Sequence, residues 1–384
     1  MFKTDFIDQI ILPYEVLDRE SSQLLARECL ELKINPEIFI LACRGTCKQS
    51  LVNLNLLRQG CLNLSKDEVQ SYFNIDILKA EINKLKAKNT SYNEIPSLPE
   101  IGDHLDKYQI KSILGKGATS VVYKATNIFL KMDVALKVLS PQLIIEDPTV
   151  QDRFLNEAVN SAKLTHRNAV KILDAEKRGK HTYIIMEYIN GKTLDQIVKE
   201  SGAIKPEAVI RIAIELCKVL DEGHKIGLVH QDIKPGNIMV NSNSEIKLAD
   251  FGLAKIINEP NQYQTISGKI YGTPYYMSPE GFMSPDKVDV RSDMYSLGAT
   301  LYHLLAGKLP FDTNSIFKII TMHLSEKPVS PSQLNRNITD KLSNIIMKLM
   351  EKEPDQRFQN YSELYSSLKR AEEDYLKLSL LKVA

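Results

Sequence analysis

An excess of charge of either sign is missing from this chain. Its 384 residues hold 49 Lys and Arg against 48 Asp and Glu, a formal net charge of +1. A protein that binds nucleic acid or an anionic membrane draws on a basic field, and composition supplies none here. Long apolar runs are missing as well. The longest near the N-terminus, Ile38 to Cys43, is far short of the roughly 20 residues needed to span a bilayer. Asp5, Asp8 and Glu15 lie where a signal peptide avoids acid, and no apolar anchor follows the later motifs. Cysteine is sparse and odd in number, at five, which excludes a disulfide framework and leads us to expect reduced thiols in the cytoplasm. No repeat with a period of about 20 to 50 residues is present. What remains is the composition of an ordinary globular chain, 43% hydrophobic and 25% charged.

The chain divides into regions by pattern. Residues 1–89 read as a helical domain, with Leu24, Leu25, Cys29 and Leu32 at helical spacing. Ser65 before Lys66-Asp67-Glu68 reads as a capping box, and Ile77, Leu78, Ile82 and Leu85 form a later stripe. Residues 90–106, with Asn93, Pro96, Ser97 and Pro99, read as a linker. Residues 107–375 read as one large domain, and 376–384 as a tail. Within that domain, strand patterns over 108–122, 134–139 and 183–188 come first. Helical patterns follow, including one opened by Lys205-Pro206 that puts Val209, Ile210, Ala213, Ile214, Cys217 and Leu220 on one face. Strands early and helices late predict an α+β fold with a small β-rich lobe on a larger helical lobe.

The chemistry is concentrated in two strings. Residues 230–237 read His-Gln-Asp-Ile-Lys-Pro-Gly-Asn, and Asp250-Phe251-Gly252 begins 13 positions after Asn237. No packing rule selects Asp, Lys, Asn and Asp in that order. They supply a base, a phosphate-contacting lysine and two oxygen ligands for a hard cation, the parts phosphoryl transfer uses. On these strings the chain resembles the eukaryotic-like Ser/Thr protein kinases, in a soluble bacterial form. The resemblance implies a bilobal kinase fold and transfer of the ATP γ-phosphoryl group to Ser or Thr hydroxyls of proteins, with Mg2+ or Mn2+. It implies Asp232 as catalytic base, Lys234 as the charge-neutralising lysine, and Asn237 and Asp250 as metal ligands.

Other positions take roles from the same resemblance. Leu114, Gly115, Lys116, Gly117 and Ser120 match the glycine-rich loop over the phosphates, with Ser120 where a third glycine is usual. Lys137, in Val134-Ala135-Leu136-Lys137, matches the strand lysine that holds the α- and β-phosphates, and Glu157 on the following helix is its expected partner. Adenine is expected between Leu114, Val122 and Ala135 above and Met239 below. Met186 lies at the gatekeeper position, and Glu187 and Ile189 at the hinge. The stretch 250–280 resembles an activation segment, with Thr265 and Ser267 as candidate phosphosites. Thr273 is expected to bond Lys234 and Asp232, Glu280 to pair with Arg357, and Asp293 to hold the catalytic-loop backbone. One departure is Gln231, where many members carry an arginine that binds the activation-loop phosphate. A neutral amide makes no charge-assisted pair, so weaker dependence on loop phosphorylation is expected, together with autophosphorylation.

Three alternatives qualify this reading. A nucleotide-binding pseudokinase scaffold is disfavoured because Lys137, Glu157, Asp232, Asn237 and Asp250 are all present. A small-molecule kinase is disfavoured by the peptide-docking string at 271–280. Cys29, Cys43, Cys47 and Cys61 invite a zinc reading, yet their 13-, 3- and 13-residue gaps hold no Cys-x-x-Cys knuckle, and no histidine precedes His104. Buried thiols are the expectation. Protein substrates are the expected partners, with a protein or autoregulatory contact through 1–89 and a homodimer as further expectations. Nucleic acid and membrane are not expected partners.

Overall fold

The computed structural model describes residues 97–117, 119–146, 149–178, 181–251, 255–256, 274–284 and 287–381. The helical reading of 1–89 and the four cysteines within it lie outside the described residues. So do Thr265, Ser267 and Thr273.

The first part of the described chain is a six-stranded antiparallel sheet. Its strands are β1 (His104–Leu105), β2 (Tyr108–Lys116), β3 (Ser120–Asn127), β4 (Met132–Leu139), β5 (Ile172–Arg178) and β6 (His181–Glu187), in the order β1-β2-β3-β4-β6-β5. The stretch read as a linker thus contributes β1, which pairs with the start of β2. The alternating pattern over 108–122 is two strands rather than one. The chain reverses at Gly117, whose N–H donates to Ser120 O at 2.8 Å, so that Lys116 faces Val121 and Gly115 faces Val122. Tyr108, Ile110, Tyr123, Ala125, Leu136, Val138, Tyr183 and Ile185 are buried on one face of this sheet. Ala135, Leu139, Ile184 and Met186, on the other face, pack with Phe154 and Ala158 of α2 (Val150–Ala162). A short helix, α1 (Pro141–Glu146), precedes α2.

The second part is helical. Its elements begin with β7 (Gly191–Thr193), α3 (Leu194–Ser201) and α4 (Pro206–Lys225), the last with proline at its first position and Lys205 as cap. The apolar face expected of α4 is buried, Cys217 included. Short strands β8 (Leu228–Val229), β9 (Ile238–Asn241), β10 (Ile246–Leu248) and β11 (Lys255–Ile256) follow. Then come α5 (Pro279–Met283), α6 (Val290–Ala306), α7 (Ile316–Ser325), α8 (Pro331–Leu334), α9 (Asp340–Leu349) and α10 (Tyr361–Leu381). The last runs through residues 376–381, the start of the stretch read as a tail.

Helix α6 is buried on nearly all sides, as a helix at the centre of a lobe must be. Its close approach to α9 requires glycine. A Cβ built on Gly298 would lie 2.6 Å from Leu349 Cβ, closer than real contacts allow. The two parts of the domain are stitched beside the site. Ala169 bridges Leu248 in parallel, and Asn168 Nδ2 donates to Ile246 O at 2.8 Å. Among the described residues, no helix is long and apolar enough to cross a membrane.

Candidate active site

Two hairpins and one central helix position the site. The β9–β10 hairpin, with Ile238 opposite Leu248, fixes the distance between the segments on either side of it. Asn237 immediately precedes β9 and Asp250 follows β10, so one ladder sets both side chains. Ala249 N donates to Asn237 O at 2.8 Å and closes the hairpin's open end. On the sheet, Lys137 lies opposite Val122 on β3 and Ile184 on β6.

Lys137 links the two halves. Its Nζ donates to Glu157 Oε1 at 2.7 Å and to Asp250 Oδ1 at 3.1 Å, the latter 113 positions away in sequence. The residue is only 9% exposed. Burial alone would favour a neutral amine, but Asp250 and Glu157 outweigh it and hold the lysine charged. For Asp250, burial works against the charged form, and the charge and hydrogen bond of Lys137 more than offset it, so its pKa falls below the ordinary value. Burial dominates at Glu157 and pushes it up to about 7.

The loop 230–237 is fixed from beneath by α6. Asp293, 2% exposed, accepts the His230 N–H at Oδ2 (2.7 Å) and the Gln231 N–H at Oδ1 (2.8 Å). Gln231 has φ 65°, a left-handed backbone that costs energy in a residue with a side chain, and these two bonds over-determine it. Thr300 Oγ1, from the same helix, donates to Ile233 O at 3.2 Å. His230 is a strut within the loop. Burial pushes its imidazole down to about 4, so the ring is neutral. Nδ1 accepts the Asp232 N–H and Nε2 faces Ala249 O, each at 3.2 Å, which puts the proton on Nε2. Phe251 packs against that ring at a centroid distance of 4.5 Å.

Above this frame, Lys234 Nζ reaches both Asp232 carboxylate oxygens, at 3.0 and 2.7 Å. Asn237 Nδ2 donates to Asp232 O at 2.8 Å and to Asp232 Oδ2 at 2.9 Å. The amide orientation this requires leaves Asn237 Oδ1 directed away from Asp232. Neither Asn237 Oδ1 nor Asp250 Oδ2 takes a hydrogen bond from a described residue. Two such oxygens, one of them anionic, suit a hard divalent cation. A Cβ added to Gly115 would meet nothing within 4 Å, so no neighbour in the protein requires glycine there. Open space beside that backbone fits a phosphate approaching the loop.

The residues expected around adenine divide by burial. Ala135, Met186 and Ile189 are buried, whereas Leu114 is exposed at the lip. Val122 and Met239 are half-buried. Glu187, at the hinge, uses its carboxylate to accept Lys171 N–H at 2.8 Å and Lys247 Nζ at 2.7 Å.

The C-terminal end of the 271–280 string is anchored as well. Arg357 NH1 and NH2 meet Glu280 Oε1 and Oε2 at 2.7 and 2.9 Å. Ser292 Oγ also donates to Glu280 Oε1. Several supports escaped the sequence reading: Ser292, Thr300, Asn168 and the neutral His230. Each acts through a partner 12 or more positions away in sequence, and only distance in the fold identifies it.

Three comparisons bear on this geometry. The family model described as "Protein kinase domain" matches residues 108–367. A probable serine/threonine-protein kinase of Clostridium acetobutylicum is 38% identical over 271 residues, covering 71% of this chain and 41% of that protein. Serine/threonine-protein kinase PknB of Mycolicibacterium smegmatis is 38% identical over 272 residues, covering 70% of this chain and 43% of that one. This chain therefore spans about two-fifths of the length of those relatives. The crystal structure of the Mycobacterium tuberculosis PknI kinase domain superposes with a TM-score of 0.54 at 26% identity, covering 71% of this chain and 99% of the other.

Proposed function

We propose a catalytic role on the premise that the family match supplies: this chain belongs to the protein kinase domain family, in its bacterial Ser/Thr branch. It transfers the ATP γ-phosphoryl group to Ser or Thr hydroxyls of protein substrates, its own among them. The observation that carries this reading is the contact of Lys137 with both Glu157 and Asp250. Burying a lysine between two carboxylates from distant elements costs each ion its water, and such costly charge clusters recur at functional sites.

The residues divide the work. Lys137 holds the α- and β-phosphates, and Glu157 fixes its direction. The glycine loop covers the phosphates with backbone N–H groups. Ala135, Val122, Met186 and Met239 enclose the adenine, and the backbone at Glu187 and Ile189 meets its edge. Asp232 orients the acceptor hydroxyl and takes its proton as the oxygen attacks the γ-phosphorus, while the bond from that phosphorus to the β–γ bridging oxygen breaks and ADP leaves. Lys234 offsets the charge that develops on the transferring group. Asn237 and Asp250 would hold a divalent cation, Mg2+ or Mn2+, which when bound neutralises phosphate charge. Preorganised charge of this kind supplies most of the acceleration in phosphoryl transfer, and no covalent intermediate on the protein is needed.

Regulation follows from Gln231. Its neutral side chain offers no charge-assisted pair to a phosphorylated loop, so basal activity depends weakly on phosphorylation at Thr265 or Ser267. Phosphatase-treated and untreated protein should differ by less than about 100-fold, or about 2.7 kcal/mol in barrier. A larger fall contradicts the idea. Residues 1–89 are proposed to contact a protein partner or the kinase itself, with a homodimer as one form of that contact and the cytoplasm as the compartment. The catalytic claim is tested by incubating wild type and Asp232→Ala with γ-labelled ATP and mapping the phosphorylated residues. Label on Ser or Thr in wild type and almost none in the variant is expected. Equal label in both removes the claim.

A further inference from the structure

Glu187, at the end of β6, belongs to a closed ring of hydrogen bonds behind the nucleotide slot. Its N–H donates to Lys171 O at 2.9 Å, and its Oε1 accepts the Lys171 N–H at 2.8 Å. The segment leading into β5 thus grips this one residue through both backbone and side chain. That segment is held in turn to β10. Leu248 N donates to Asn168 O at 2.7 Å, and Val170 N donates to Leu248 O at 2.9 Å. Lys247, beside Leu248 on β10, completes the ring. Its Nζ donates to the same Glu187 Oε1 at 2.7 Å, 60 positions away in sequence, and to Ala169 O at 3.4 Å.

The link from Lys247 to Glu187 differs from the others. Each of the rest uses at least one backbone group, whereas this one joins two side chains. The pair is part-buried, with side chains 16% and 29% exposed, so water and salt screen it less than a surface pair. Stability alone does not call for it. A methionine would fill the space of Lys247 without giving up the water of an ammonium. The position of the pair is more telling. Lys247 is the cross-strand partner of Met239 in the β9–β10 ladder. Glu187 follows Met186, which lies opposite Ala135. The floor and the hinge edge of the adenine slot therefore each adjoin one end of the same ion pair.

We infer that Lys247 is a positioning residue for the adenine base: by holding Glu187 to β10 it fixes the spacing between the hinge backbone that meets the edge of the base and the Met239 side that closes on its face. With the pair gone, the backbone bonds through Lys171 alone set that spacing. The slot must then be ordered when the base enters, which weakens binding of the base and leaves the peptide site as it was. The inference rests on the kinase reading above, and it concerns the base, not the phosphates or the cation.

The test uses the full chain with dephosphorylated casein as acceptor. It measures KM for ATP and for casein, and the inhibition constant of adenosine in competition with ATP. Adenosine carries the base without phosphates, so it reports on the base site alone. In Lys247→Met, KM for ATP and the adenosine constant should each rise about three-fold or more, with KM for casein within about two-fold. Lys247→Arg keeps a charged donor and should recover at least half of the loss. Glu187→Gln keeps an acceptor for the Lys171 N–H but removes the charge, and should fall between wild type and Lys247→Met. A pair that only holds the fold together would lower the melting temperature and leave both nucleotide-site constants within about three-fold of wild type, and that result overturns the inference. So does a casein KM raised as far as that for ATP. If Lys247→Met does not fold, Glu187→Gln decides: an adenosine constant equal to that of wild type overturns the proposal, and a raised one upholds it. Wild type that labels neither casein nor itself removes the kinase reading, whereas active wild type matched by both variants removes only this one.

Discussion

Removing the Arg357 guanidinium should destabilise the catalytic domain more than any other single truncation outside the apolar core. Arg357 is 2% exposed, and all five of its N–H groups are matched. Nε donates to Glu351 O at 2.8 Å, NH1 to Glu280 Oε1 at 2.7 Å and Arg291 O at 2.8 Å, and NH2 to Glu280 Oε2 and Lys352 O, both at 2.9 Å. Arg357→Ala leaves three carbonyls without these donors and Glu280 buried without its counter-ion. Breaking a buried pair by removing one partner costs about 3–5 kcal/mol, mainly through the stranded charge. For a domain of this size, about 2–4 °C of melting temperature accompanies each kcal/mol, so the transition should fall by about 6–20 °C. Arg357→Lys keeps the charge but lacks the planar fork, and should recover only part of the loss. The pair also has a pH signature. Burial opposes the Glu280 charge, but Arg357 and Ser292 overcome it and lower its pKa below 4.5. The resulting stability is present above that ordinary value and is lost as pH falls through the lowered one. Melting curves of wild type and Arg357→Ala should therefore converge at acid pH. A neutral-pH difference below about 1 kcal/mol would refute the reasoning, since it would mean that Glu280 finds water or another cation without cost.

Two further outcomes are expected. Lys137→Met should lower kcat with a protein acceptor by about 100- to 1,000-fold, as loss of a preorganised charge at the phosphates does. Its melting temperature should fall less than in Arg357→Ala, because Glu157, already pushed up to about 7 by burial, can protonate, and the Asp250 side chain, 33% exposed, keeps access to water. Steady-state kinetics and a thermal melt on the same sample check both halves. Lys352 is held down to about 8, first by burial and then by the charge of Arg357. A folded-state pKa below the ordinary 10.5 favours the neutral amine, so its contribution to stability rises with pH above about 8 and is lost as pH falls through that value. Lys352→Met should flatten that rise, visible as a smaller gain in melting temperature between about pH 7.5 and 9.5 than in wild type.

The residues proposed to be catalytic stand out in the sequence because chemistry, not packing, selects their strings. Lys137, Asp232, Asn237 and Asp250 had to recur at set intervals, and the hairpin ladder explains why the interval between the last two is short. Helix α4 was legible from Lys205-Pro206 and its apolar stripe. Helix α1 was not read, although Ser140-Pro141 is a start signal of the same kind; six residues are too few for a period to show. The supports beneath the site were harder to read. Thr300, Asn168 and Ser292 act through partners that are distant in sequence, and nothing local distinguishes a buried hydroxyl or amide with a partner from one facing water. Lys247 was invisible for the same reason, since its bond to Glu187 exists only once β6 and β10 have come together.

Catalysis as proposed requires Lys137, Asp232, Asn237 and Asp250 to converge on one nucleotide and its cation. A crystal structure with a non-hydrolysable ATP analogue and Mn2+, located by its anomalous signal, tests it most directly. The metal is expected about 2 Å from an oxygen of Asp250 and one of Asn237, with Lys137 Nζ on the α- and β-phosphates and Asp232 facing the γ-phosphate. Metal or nucleotide bound elsewhere, with Lys137 still closed on Glu157 and Asp250 and no phosphate beside it, would contradict it.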